Sequence, residues 1–163
     1  MKNTIGLLMK LFVLASVFVL VAGCSSQEED KDVKTIETFL GKEFTGPGEE
    51  LASALEKGPS QLKEYAEENY KPLVMNVGDM MDANHILVFQ QFAYEKGYQL
   101  KPAAIDIEKV EDQAYQYEVE VEYEKDGQKN TAAITARVNL NDEGEIVTIR
   151  NMDDGGLLEM LRK

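Results

Sequence analysis

From Tyr115 to Glu124 polar and apolar positions alternate without a break: Tyr115, Tyr117, Val119, Val121 and Tyr123 against Gln116, Glu118, Glu120, Glu122 and Glu124. A period of two with one aliphatic and aromatic face and one acidic face predicts a half-buried strand. Asp126-Gly127 is a two-residue hairpin signal. It pairs Lys125 with Gln128 and sets Val121 opposite Ala132, Val119 opposite Ile134 and Tyr117 opposite Ala136. The next strand, Thr131 to Leu140, has its apolar residues at the even positions, so both apolar sets share one side. A slip of one residue buries the glutamates instead. The Asn141–Gly144 loop predicts a second hairpin with Leu140 opposite Glu145, Val138 opposite Val147 and Ala136 opposite Ile149. An earlier strand, Ala104 to Val110, extends the meander, with Pro102 at its start or edge.

Before residue 100 the period changes. Val33, Ile36, Phe39 and Leu40 recur at helical spacing up to Lys42. Glu49-Glu50 open a second helix, stopped by Gly58-Pro59, and Ser60 is the expected N-cap of a third carrying Leu62, Tyr65 and Ala66 inward. Residues 73–81 read equally as short strand or loop. Asp82 is the expected cap of a central helix running to Lys96, with Ile86, Phe89 and Ala93 on its apolar face and Phe92 beside them. Leu157, Leu158 and Leu161 predict a short terminal helix after Gly155-Gly156. Helices first and a one-faced antiparallel meander afterwards define an α+β class, with N-terminal helices packed on a curved sheet.

The order and lengths of these elements, over about Val33 to Met152, resemble the nuclear-transport-factor-two-like (cystatin-like) cone fold, which includes ketosteroid isomerases and many small bacterial lipoproteins. The resemblance implies a sheet wrapped around a long helix, with a pocket at the open end of the cone. Here that pocket would be lined by His85, Phe89, Phe92, Tyr115, Tyr117, Ala136 and Ile149, with Ala132 beside them. Alanines opposite tyrosines leave room for a guest or, equally, for the Phe89 and Phe92 rings. The terminal leucine helix continues past the last strand of that family and is placed to plug the mouth.

At the other end of the chain, Lys2 and Lys10 precede an uncharged apolar run, Leu11 to Ala22, that closes on Val21-Ala22-Gly23-Cys24. This tetrapeptide resembles the lipobox of bacterial lipoproteins, whose cysteine sulfur carries diacylglycerol by a thioether after cleavage just before it. The resemblance implies cleavage between Gly23 and Cys24 and lipidation of Cys24, the one cysteine of the 163 residues. It divides the chain into a removed signal peptide (1–23), a lipidated cysteine with a disordered tether (24–32, polar SSQEEDKD after the cysteine) and a single α+β domain (33–163). The expected location is the extracytoplasmic face of the cell membrane, held there by acyl chains such as palmitate.

Charge narrows the partners. A formal net charge of −13 argues against nucleic acid, which is bound through Lys and Arg on phosphates, and against docking on anionic headgroups. A small apolar ligand or a basic protein partner fits better, the latter on the glutamate face of the sheet.

Chemistry is sparse. There is no HExxH, no cysteine pair, no GxSxG and no phosphate-cradling glycine loop. The inward strand positions are apolar or tyrosine, and alternation turns Asp106 outward. Asn139-x-Asn141-x-Glu143-Gly144 echoes a calcium loop, but its twelfth position is Arg150 where a bidentate glutamate is required. Asp79, Asp82, Asp153 and Asp154 read as cap and turn residues, and Met75, Met80 and Met81 as core filling. No catalytic residue, metal or cofactor is therefore assigned, and a non-enzymatic binding or interaction domain is the first reading. The alternative is a cone-fold isomerase or hydrolase using His85, the sole histidine, with Tyr117 or Tyr115.

Overall fold

The computed structural model describes the backbone of residues 24–163 and the side chains of residues 31–163. The signal-peptide segment, the Gly23–Cys24 bond and the Cys24 sulfur therefore lie outside the described residues and side chains. Among the described residues five helices precede one four-stranded antiparallel sheet in the order β1-β2-β3-β4 and a sixth, short helix follows it, an α+β arrangement.

Helix α1 (Cys24–Glu43) is longer than its apolar periodicity predicts, and the stretch expected as a disordered tether is its first turns. Extension costs little once a helix is nucleated, and Ser25–Asp32 holds neither Gly nor Pro. Two contacts also hold this stretch, one to the β3–β4 loop and one to the sheet: the Lys31 ammonium donates to the Glu143 carbonyl, and Asp32 Oδ2 accepts the Tyr115 hydroxyl at 3.1 Å. The stripe Ile36, Phe39, Leu40 is buried. Helix α2 (Glu49–Lys57) stops at Gly58 as expected, but Gly58, not Ser60, is the N-cap of α3 (Pro59–Tyr70). Proline at the first helical position has no N–H to leave unsatisfied, so the helix starts there.

The ambiguous 73–81 segment is both things in turn. Val74 forms a parallel bridge with Ile146, and α4 (Val77–Asp82) follows, capped by Asn76 Oδ1 accepting the Asp79 N–H at 3.1 Å. Asp82 therefore ends a helix instead of starting one. The chain then turns through Asn84 and Leu87, both with positive φ, and α5 (Val88–Lys96) begins six residues after the expected cap. Gly97, left-handed, closes it as predicted.

Strands β1 (Gln99–Glu111), β2 (Ala114–Lys125), β3 (Gln128–Leu140) and β4 (Ile146–Asp153) form the meander. The first hairpin has the predicted register throughout, including Lys125 with Gln128 and Tyr117 with Ala136. The second does not: Leu140 faces Ile146 and Val138 faces Ile149. Asn141 causes the shift. Its side-chain oxygen accepts the N–H groups of both Glu143 and Glu145, closing a loop longer than two residues. An irregularity between Asn139 and Leu140 absorbs Val147. Apolar still meets apolar. Pro102 lies in β1, an edge strand, beside an irregularity between Pro102 and Ala104, the setting in which a strand tolerates proline. Helix α6 (Leu157–Leu161) buries Leu157 and Leu161 completely and packs beside α5.

Candidate functional site

The expected pocket is closed by its own side chains. Phe89, Tyr115, Tyr117, Ala136 and Ile149 are all core residues, and the Phe89 ring lies against Phe44 with centroids 5.3 Å apart. Large rings opposite small alanines have been filled by the protein itself. The remaining members are parted. Phe92 is half-buried on one surface groove, while His85 lies on another cleft behind α4. His85 and the two tyrosine hydroxyls are therefore not brought together on one of the clefts. Burial lowers the imidazole pKa below its ordinary value, which favours the neutral ring.

Sequence reasoning missed a strongly perturbed ionisable group. Glu43, at the end of α1, is 1% exposed. Its Oε2 accepts the Leu87 N–H at 2.8 Å and the Tyr70 hydroxyl at 3.0 Å. Gln90 completes the cluster by donating to the Tyr70 oxygen at 3.3 Å and to the Lys42 carbonyl at 2.8 Å. Glu43 Oε1 and the Tyr117 hydroxyl are buried without a hydrogen-bond partner among the described groups. A carboxylate with one oxygen facing no donor is costly in a low-dielectric interior, and the cheaper state is the neutral acid. Desolvation accordingly pushes the Glu43 pKa from 4.5 to about 8, against the smaller lowering effects of the Leu87 and Tyr70 hydrogen bonds. Desolvation, and then the Glu43 charge, raise Tyr117 well above the usual phenol range.

A visible signal existed for Glu43. It follows Ile36 by seven, Phe39 by four and Leu40 by three, so it continues the buried stripe of α1. Its role is positional. It bonds the free N–H of a leucine at φ 67, the residue from which α5 starts, and a left-handed leucine is held only where its surroundings over-determine it. Through that bond α1 fixes where α5 begins.

The outer side of α5 forms a groove with α6 and the end of β4, about 650 Å³ in volume. Val88, Phe92, Met152 and Leu158 supply an apolar wall. The Arg162 guanidinium lies 4.9 Å from the Phe92 ring centroid and has no carboxylate partner among the described residues. The aspartates at the rim are already engaged. Asp153 accepts the Gly155 N–H, and Asp154 accepts those of Gly156 and Leu158. The groove therefore pairs an apolar floor with one uncommitted cation in a chain of strongly negative charge. Such a volume is typical of small-molecule sites.

No protein-family model, no curated protein and no solved structure matches the chain.

Proposed function

We propose that this chain is a lipid-anchored extracytoplasmic lipoprotein whose folded part is a non-enzymatic binding module, and that it takes a small apolar molecule with an anionic end in the groove between α5 and α6. The observation that carries the reading is Arg162, a cation over the Phe92 ring beside an apolar wall, with no carboxylate partner among the described residues. The tail of the ligand would lie on Val88, Phe92 and Leu158, and its carboxylate or phosphate would meet the guanidinium, whose planar fork suits such groups. The lipobox-like Val21-Ala22-Gly23-Cys24 supports the membrane address. The enzymatic alternative has less support, because His85 lies on a surface cleft while Tyr115 and Tyr117 are buried in the core.

Decanoate, kept below its micelle concentration, is a suitable probe. Amide shifts should concentrate in α5, α6 and the end of β4, and Arg162→Ala should weaken binding about tenfold, the loss of about 1.4 kcal/mol. Shifts scattered over the surface, or an affinity indifferent to Arg162, would remove the groove from consideration. For the anchor, Cys24→Ser should move the protein from the membrane to the soluble fraction. Unchanged detergent partitioning would count against it.

A further inference from the structure

Behind α4 lies a smaller cleft, about 230 Å³, whose lining includes Met75, Met80, His85, Asp79, Thr148 and Arg150. The chain holds the first three in place from two rigid supports. Met75 is stitched to β4, its N–H donating to the Ile146 carbonyl at 3.0 Å while Ile146 donates back to Leu73 at 2.8 Å. Met80 lies in α4, and the His85 N–H donates to the Met80 carbonyl at 2.9 Å, which keeps the imidazole beside that turn.

The side chains differ in access. Met75 is 56% exposed, so its thioether is open to solvent, whereas Met80 is 4% exposed and lies deeper. The His85 ring makes no hydrogen bond or ion pair with another described residue. On the β4 wall, the Thr148 hydroxyl is buried and has no partner among the described groups. These observations are independent of the groove between α5 and α6.

We propose that this cleft binds a soft monovalent metal ion, copper(I) or silver(I), through the thioethers of Met75 and Met80 and the imidazole of His85. Soft thioethers select such ions, and imidazole is a common companion ligand. The charge of the cleft points the same way. One carboxylate, Asp79, shares the lining with one guanidinium, Arg150, so a calcium or magnesium ion would find neither the oxygens nor the negative charge it needs. Among the described residues no three His, Cys, Asp or Glu side chains converge on a metal geometry; the cleft's own soft donors are the Met75 and Met80 thioethers.

Silver(I), which is redox-inert, is the probe. The full chain in detergent micelles, carrying Cys24→Ser so that no thiol competes, is titrated while the methionine methyl and histidine ring signals are followed. One equivalent should shift Met75, Met80 and His85 together, and the same concentration of zinc(II) or calcium(II) should leave them in place. Met75→Leu, an exposed change that leaves the fold intact, and His85→Gln should each weaken silver binding at least tenfold. Silver affinity unchanged in both variants, shifts centred on Met152 and Met160 instead, or no binding at all would each overturn the proposal.

Discussion

The hydroxyl of Tyr70 donates to Oε2 of Glu43 across 3.0 Å, with both side chains 1% exposed. This bond ties the end of α1 to the end of α3. The same carboxyl oxygen takes the Leu87 N–H, so one buried group joins three helices, and its protonation state is coupled to folding.

Stability should therefore fall as pH rises. The folded-state pKa of Glu43, about 8, lies above its ordinary value of 4.5, so the native protein holds a proton that the unfolded chain releases. The contribution is complete below the lower value and is lost as pH rises through the upper one, with a slope of at most about 1.4 kcal/mol per pH unit. Urea unfolding of Glu43→Gln across this range should lack that slope. A difference between the two proteins that stays constant with pH would contradict the assignment. Tyr70→Phe removes an interaction that lowers the Glu43 pKa. Carboxyl carbon NMR should show Glu43 titrating at higher pH in that variant, at a cost of about 1 kcal/mol or more in stability.

Gly155 and Gly156 precede α6 with φ of 56 and 81 and should respond unequally to alanine. A β-carbon on Gly155 would fall 2.4 Å from the Ala133 carbonyl oxygen, whereas one on Gly156 meets nothing within 4 Å. Gly156→Ala should cost about 1 kcal/mol for the left-handed conformation alone. Gly155→Ala should cost on the order of 2 kcal/mol or more and displace α6, widening the Phe92–Leu158 groove. Equal melting temperatures for the two variants would show that the close approach is relieved elsewhere.

Asp106 and Glu118 are paired directly across β1 and β2 on the outer face of the sheet, both exposed. Like charges at such positions repel. Glu118→Lys should raise stability by about 0.5 kcal/mol, measured by chemical denaturation in low salt, and the gain should shrink as salt is added. If a basic partner uses this face, the same substitution should also abolish its co-purification.

Legibility followed the range of the interactions. The β2–β3 register could be read because a two-residue turn and a period of two fix it locally: Lys125 and Gln128 determine every pair behind them. The β3–β4 register could not, since it depends on Asn141 accepting two backbone N–H groups and on an irregularity that takes up Val147. The start of α5 was hidden for a related reason. No propensity places Leu87 at positive φ; Glu43, distant in sequence, stabilises it there. Of the expected pocket, Phe89, Tyr115, Tyr117, Ala136 and Ile149 are inward, whereas His85 and Phe92 lie half-buried on separate clefts. Tyr117 and Ala136 face each other as predicted, while the space between the sheet and α5 is occupied by Phe89 against Phe44. The groove at Arg162 depends on how α6 sits on α5, which local patterning does not encode.

The most direct measurement of the central proposal is native mass spectrometry of the protein extracted in detergent from its own membranes. A diacylated Cys24 N-terminus with a small amphipathic molecule retained, and that molecule lost in Leu158→Glu, is the predicted result. An unlipidated chain, or a lipidated chain whose bound mass is indifferent to Leu158→Glu, would contradict it.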